Sequence, residues 1–211
     1  MGLSSLMPFL GFGFELETQS YQGFTRDDVV SGSVLQVGKD LDVVFDESIS
    51  GVEIITSGRN THEKMLECLS EAFKSSMEVD SFCGFHIHID APFLLNTSSF
   101  RRTLHKKAID LHRLIPMCCY ERLRELRKTV YFPFTDEETK YSFISYREEY
   151  GTYEFRFYGN VRTEVEALCC LNHSISTVLH AVADPEPAPT IKQLSQRALG
   201  VFDNLLELKS T

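Results

Sequence analysis

The sequence predicts an α+β fold, in which helices cover one face of an antiparallel or mixed β-sheet. Six short segments are rich in aromatic and β-branched residues and are bounded by Gly, Asp or Ser, as strands are. Some of these segments follow one another closely, as in hairpins, whereas others are separated by stretches of helical apolar spacing. The predicted strands are 10–17, 41–46, 51–56, 83–90, 141–146 and 152–158.

Apolar residues at helical spacing predict four helices. Asn60 is the candidate N-cap of the first helix, and Ser99 or one of its neighbours that of the second; Thr163 with Glu166 can form a capping box for the third. The predicted helices are 61–75, 100–115, 164–182 and 190–209.

The length of 211 residues favours one main domain, which we expect over residues 1–183. Three prolines at alternate positions make residues 184–189 a semi-rigid linker. The amphipathic C-terminal segment 190–211 is too short to be a domain, so its helix is expected to pack on the same domain.

The composition is that of a soluble globular protein, with 43% hydrophobic and 24% charged residues. No stretch approaches the ~20 apolar residues that a membrane span requires. The first ten residues lack the basic start of a secretory signal, and the six cysteines form no Cys-x-x-Cys pair. These features predict reduced thiols and a cytoplasmic location, with Cys169 and Cys170 in core packing.

The net charge of −9 argues against broad nucleic-acid binding. Residues 101–128 nevertheless hold nine of the 21 Lys and Arg but only three acids. This basic segment is either a solvated helix face or a patch that contacts phosphates or an acidic substrate.

Polar and apolar residues alternate in four of the predicted strands, so each strand has one apolar and one polar face. The polar faces carry ionisable residues in place of the Thr, Ser and Lys that are common on solvated strands. These residues are Glu15, Glu17, Glu53, His86, His88, Asp90, Glu154 and Arg156.

Four carboxylates gathered in one cleft repel one another unless cations neutralise them. An oxygen-rich ligand set with an occasional imidazole suits Mg²⁺ or Mn²⁺ better than Zn²⁺. Taken singly, each motif is also compatible with an ordinary sheet that has one face in solvent. The joint occurrence of acids, imidazoles and a guanidinium therefore predicts a metal site.

Four segments resemble, in the same order, those of the amidoligase family, which belongs with glutamine synthetase and glutamate–cysteine ligase in one superfamily. Residues 12–17 resemble its Gly-x-Glu-x-Glu strand, and residues 46–54 its Asp-x-Ser and Glu-Ile pair. Residues 83–90 are similar to its Cys-Gly-x-His-x-His-x-Asp segment, and residues 151–157 to its Thr-x-Glu-Phe-Arg strand. The chain departs from the family at Lys140 and Ser145, where Arg and Asn are usual, and it is short for the family.

The resemblance implies a glutamine synthetase-like catalytic domain, with a curved, mainly antiparallel sheet and helices on its convex face. It implies an ATP-dependent carbon–nitrogen ligase that joins a small-molecule or peptide carboxylate to an amine through an acyl phosphate, with ATP and Mg²⁺ or Mn²⁺. Relatives often share sites between subunits, which would make the protein a homo-oligomer.

The resemblance also implies roles for individual residues. Glu53, Glu154 and Arg156 would be catalytic, with Arg156 on the transferred phosphoryl group. The nucleotide would contact Arg156, His86 and His88. The implied metal ligands are Glu15, Glu17, Glu53, His86 and Glu154.

Two alternatives stay open from the sequence. His86-x-His88-x-Asp90 also resembles the zinc motif of metallo-β-lactamase-like hydrolases, although Ala91 stands where those enzymes have His. Such enzymes need further histidines from loops, whereas the five remaining histidines fall on predicted helices or a helix's first turn. The second alternative is a non-catalytic protein that binds metal and nucleotide.

Overall fold

A computed structural model describes residues 7–8, 10–25, 34–44, 51–90, 97–119 and 143–183. In these ranges the fold is α+β, as predicted. The strands are β1 Gly11–Thr18, β2 Ser20–Tyr21, β3 Val34–Gln36, β4 Leu41–Val44, β5 Val52–Thr56, β6 Met77–Glu78, β7 Gly84–Asp90, β8 Ile144–Arg147 and β9 Thr152–Gly159. The helices are α1 His62–Lys74, α2 Ser98–Asp110 and α3 Glu164–Ala183, with a 3₁₀ turn at His112–Leu114.

Seven strands form one open sheet in the order β3-β4-β5-β1-β7-β9-β8, and every neighbouring pair is antiparallel. β2 and β6 make a separate two-stranded ribbon. β1 lies in the middle of the large sheet and is hydrogen-bonded to β5 on one side and to β7 on the other.

The helices pack on one face of this sheet, where the apolar side chains of the strands point. β1 contributes Phe12, Phe14 and Leu16 to the core, and α1 contributes Met65 and Leu69, all of them buried. From α3 the core takes Ala167, Leu171, Ile175 and Val178. The alternation in the strands therefore separates an apolar layer under the helices from a polar layer on the opposite face.

The predicted capping box is present at α3. There Thr163 Oγ1 accepts from the Glu166 amide at 3.2 Å, and Glu166 Oε2 accepts from the Thr163 amide at 3.0 Å, which is the predicted capping box. Asn60 does not cap α1, because its backbone pairs with Phe12 of β1; Thr61 is the cap. Thr97 caps α2 in place of Ser99.

The second helix is also shorter than predicted. α2 ends at Asp110, and a separate 3₁₀ turn follows over His112–Leu114, whereas the sequence predicts one helix over 100–115.

Two backbone irregularities place side chains in β9. The β8–β9 hairpin closes through Gly151, whose φ of +67° is a left-handed conformation that glycine adopts without strain. A β-bulge then interrupts the β7–β9 pairing, since Phe85 pairs with Tyr158 but Ile87 pairs with Phe155. The bulge turns Tyr158 into the core, although strict alternation would put it on the polar face.

Several predictions lie outside the described residues: the linker 184–189, the helix 190–209 and the part of the basic segment beyond residue 119. None of the helices in the described ranges is both long and apolar enough to cross a membrane.

Candidate metal site

The antiparallel register brings the predicted site residues together on the face opposite the helices. Glu17 lies opposite Glu53 across β1 and β5, and Glu15 lies opposite His86 across β1 and β7. His88 in turn pairs with Glu154 across β7 and β9. Directly opposed residues in antiparallel strands project to the same face, so three strand pairings assemble one cluster.

Glu15 is at the centre of this cluster and contacts both imidazoles. Its Oε2 lies 3.1 Å from His86 Nδ1, and its Oε1 lies 3.1 Å from His88 Nε2. Burial raises the pKa of the Glu15 carboxyl, but hydrogen bonds and charge from the two histidines outweigh it, so the pKa lies well below its usual range. Glu15 is therefore ionised at neutral pH.

Glu154 is the most enclosed carboxylate of the cluster, with 1% of its surface exposed. Arg156 Nη1 lies 3.1 Å from Glu154 Oε1, and Ser145 Oγ donates to Oε2 at 3.3 Å. Arg147 Nε lies 3.6 Å from Glu154 Oε2, and His86 Nδ1 lies 3.4 Å from Oε1. A buried anion requires this density of partners, because desolvation of an unpaired carboxylate is costly.

The imidazole nitrogens favour cation binding. His88 Nδ1 lies 3.1 Å from Thr152 Oγ1. His88 Nε2 lies 3.1 Å from Glu15 Oε1, His86 Nε2 lies 3.8 Å from Glu17 Oε1, and both nitrogens are buried. Imidazole nitrogens that converge with carboxylate oxygens are ligand types of divalent metal ions, so the donor set fits a metal ion.

Two groups of ligand atoms satisfy the distances that a metal requires. Glu15, Glu53 and His86 form the first group, and Glu15, His88 and Glu154 form the second; within each, the ligand atoms lie within 4.8 Å of one another. Adjacent ligands of an octahedral Mg²⁺ at about 2.1 Å are about 3.0 Å apart. The separations of 3.1 Å from Glu15 to His86 Nδ1 and to His88 Nε2 are close to this value, and His88 Nε2 lies 4.0 Å from Glu154 Oε1.

Two predicted residues lie on the same face but belong to neither group. Glu17 Oε2 accepts a hydrogen bond from the Gly84 amide, and its Oε1 lies 3.8 Å from His86 Nε2. Asp90 forms an ion pair with Arg59 at 3.0 Å. Glu17 thus borders the first group, whereas Asp90 lies at the far end of the polar face.

A cleft of about 500 Å³ extends from the cluster along β1. Glu15 and His88 line one end, and Arg59 with Asp90 lines the other. A Cβ at Gly11 would lie 2.1 Å from Arg59 Nε, so the glycine leaves this end of the cleft to the Arg59 side chain. Gly11 and Gly13 of β1 add no side chains to the cleft lining, which leaves room for a ligand that reaches the cluster.

Sequence reasoning missed two neighbours of the cluster, Ser145 and Arg147, and one residue of the cleft, Arg59. Ser145 and Arg147 lie on β8, opposite Glu154 and Thr152 of β9. Alternation within the predicted strand 141–146 would have placed Ser145 on the polar face. Arg147 is one residue beyond that predicted strand, and Arg59 reaches the cleft from a turn after β5, which alternation does not address.

The described part of the basic segment lies on the other side of the sheet. α2 packs through Leu104 and Ala108 into the core, and Phe100 contacts Tyr153 of the apolar face. The prediction that this segment contacts phosphates gains no support from its described residues.

No family model matches the chain, and no curated protein matches its sequence.

Proposed function

We propose that this protein is a metal- and ATP-dependent carboxylate–amine ligase with a glutamine synthetase-like catalytic domain. The observation that carries the proposal is the convergence of Glu15, Glu154, His86 and His88 beside Arg156 on one sheet face. An antiparallel sheet with helices on one face and this cluster on the other supports the proposed domain type.

The proposed reaction has two steps. A substrate carboxylate oxygen attacks the γ-phosphorus of ATP, which forms an acyl phosphate and releases ADP. The amine then attacks the acyl carbon, loses a proton and displaces inorganic phosphate. Divalent cations, when bound, would neutralise the phosphate charge and lower the barrier to attack.

The residues of the two ligand groups would each hold one cation. Glu15, Glu53 and His86 would hold one cation, and Glu15, His88 and Glu154 would hold another, with Glu15 common to both. Shared carboxylates of this kind occur where two ions are close together.

Arg156 would stabilise the transferred phosphoryl group. Its guanidinium is anchored through Nη1 by Glu154, and 30% of its side chain is exposed. A planar guanidinium offers paired donors to phosphoryl oxygens, and anchoring lowers the entropy that is lost on contact.

The structure weakens the hydrolase alternative. Asp90 is paired with Arg59 and does not join His86 and His88. His173 is buried in the core, where Nε2 donates to the Ala108 carbonyl, and His112 is bonded to the Ile109 carbonyl. Among the described residues, no third histidine approaches the cluster.

Oxygen-18 transfer tests the proposed reaction. The full chain would be incubated with ATP, Mg²⁺ or Mn²⁺ and pairs of amino acids and amines, with the acid labelled in its carboxylate. We expect ADP release that depends on both substrates and one labelled oxygen in each phosphate. Phosphate without label would indicate attack by water and contradict the ligase.

Nucleotide titration separates the remaining alternatives. Binding of ATP that requires Mn²⁺ supports the site, and binding without turnover of any pair would favour the non-catalytic protein. A lack of metal-dependent ATP binding would overturn the proposed function altogether.

A further inference from the structure

A second cluster of metal-ligating side chains lies on the helix side of the sheet. Cys118 and Cys119 follow the 3₁₀ turn after α2, and Glu166 and Cys170 lie one turn apart on α3. Cys119 and Cys170 are fully buried, whereas Cys118 and Glu166 are partly exposed. We call these four residues the thiol cluster; the proposed ligase chemistry does not use it.

Three members of the thiol cluster, Cys118, Cys119 and Glu166, have a spacing that suits ligands of a tetrahedral zinc ion. Cys118 Sγ and Cys119 Sγ lie 3.8 Å apart, although the side chains of sequence neighbours usually diverge. Two sulfurs bound tetrahedrally to Zn²⁺ at about 2.3 Å are about 3.8 Å apart. The separation of the two thiols therefore already matches the edge of a zinc tetrahedron.

Glu166 and Cys170 would provide the other two ligands. Cys118 donates to Glu166 Oε1 at 3.1 Å, and the ligand atoms of Cys118, Cys119 and Glu166 all lie within 4.8 Å of one another. A zinc-bound sulfur and carboxylate oxygen are about 3.6 Å apart, so a shift of about half an ångström suffices. The Cys170 thiol hydrogen-bonds to that of Cys119 and would supply the third sulfur, as the fourth ligand of the ion.

Glu166 is already oriented for this role. Its Oε2 accepts from the amides of Arg162 and Thr163 at 2.8 Å and 3.0 Å as part of the α3 capping box. These bonds hold the carboxylate so that Oε1 is directed to Cys118. A ligand whose second oxygen is fixed by backbone donors loses little entropy when it binds a metal.

We propose that Cys118, Cys119, Cys170 and Glu166 bind one Zn²⁺ ion as a closed structural site. Thiolates select a soft or borderline ion, in contrast to the oxygen-rich cluster on the opposite face. Binding releases the thiol protons to solvent, so zinc affinity rises with pH. The ion would join the chain after α2 to the first turns of α3.

Cobalt substitution tests this site directly. The full chain, reduced with a phosphine and freed of metal, would be titrated with Co²⁺. Thiolate ligands give a sulfur-to-cobalt charge-transfer band in the near ultraviolet, which carboxylates and imidazoles do not give. We expect a band that saturates at one Co²⁺ per chain and that one equivalent of Zn²⁺ abolishes.

Variants assign the band to residues. Cys118→Ser and Cys170→Ser should lose it, whereas Cys68→Ser, which changes a buried thiol on α1, should keep it. Glu15→Gln should also keep it, which separates this proposal from the ligase site. A missing band in the wild type, or a band that survives both Cys118→Ser and Cys170→Ser, would overturn the zinc site.

A measurement on the unmutated chain guards against variants that fail to fold. Zn²⁺ should slow the alkylation of Cys118 at least ten-fold, as followed by peptide mass spectrometry. Cys169, which is partly exposed on α3 and outside the cluster, should react at the same rate with and without Zn²⁺. Equal rates at Cys118 in both conditions would show that the thiols only pack together.

Discussion

Glu17 and Glu53 lie directly opposite each other on β1 and β5, and each is only 9% exposed. Like charges at directly opposed positions destabilise an antiparallel pair, more so where water is excluded. The fold therefore maintains an acidic cluster, and bound cations would reduce the repulsion between its carboxylates.

Metal binding is expected to stabilise the fold, and Glu53→Gln should reduce this effect. Saturation at 100 times the dissociation constant would add about 2.7 kcal/mol to the free energy of unfolding. We expect a smaller stabilisation by metal in the variant, because one carboxylate ligand is lost. Thermal melts with and without Mn²⁺ measure both effects. Glu78→Gln, on the exposed β6, is the control and should behave as the wild type.

Glu154→Gln and Arg156→Ala are expected to abolish ATP turnover while the fold survives. Each removes a group that would act on metal or phosphoryl charge, and an arginine in such a position contributes about 10³-fold or more. Turnover is measured as ADP release, and folding as the melting temperature. Glu149→Gln, whose exposed carboxylate contacts Arg147, should retain activity. Full turnover in Arg156→Ala would exclude its assigned role.

Gly51→Ala and Gly11→Ala are expected to differ sharply in their effect on stability. A Cβ on Gly51 would lie 1.8 Å from the backbone oxygen of Thr18, which cannot move without disturbing β1. We expect a loss of about 3 kcal/mol or more, measured by denaturant unfolding. A Cβ on Gly11 meets only the Arg59 side chain, which can rotate away from Asp90. Gly11→Ala should therefore change stability little and raise KM for the ligand of the cleft.

The unfolding free energy should fall in mild acid because of His173. Burial lowers the pKa of His173 from 6.5 to about 4, although its hydrogen bond to the Ala108 carbonyl opposes the shift. The unfolded chain therefore takes up the proton first, and stability is lost as the pH falls from about 6.5 to about 4. The loss is on the order of 3 kcal/mol at the acid end.

Denaturant titrations between pH 7 and pH 4 measure how the unfolding free energy depends on pH. In His173→Gln the decrease over that range should be smaller, whereas His180→Gln, exposed on the same helix, should leave it unchanged. An identical slope in wild type and His173→Gln would assign the acid sensitivity to other groups.

The sequence was most informative where the structure follows from the alternation of polar and apolar residues within one strand. Alternation in β1, β5, β7 and β9 is a property of each strand alone, and it placed Glu15, Glu53, His86, His88 and Glu154 on one face before any register was known. Which of them meet depends on pairing between distant segments, so the separation of Glu17 and Asp90 from the two ligand groups did not follow from the sequence.

Other features depend on contacts between segments that are distant in the sequence. Asn60 has the chemistry of a cap, but its backbone is engaged by Phe12 of β1, and Thr61 takes the role. The bulge that buries Tyr158 breaks the period on which the prediction relied. Packing was expected for Cys170, but its approach to Cys118 and Cys119 comes from helix docking.

The central position of β1 in the sheet protects the site from local opening. Amides of a strand that is bonded on both sides exchange with solvent mainly when the whole domain opens, whereas edge strands fray independently. Glu15 is thus held in place for as long as the molecule remains folded. Arg147 lies on β8, at the edge of the described sheet, so its contact with Glu154 can vary, whereas Arg156 on β9 and the carboxylate ligands stay fixed.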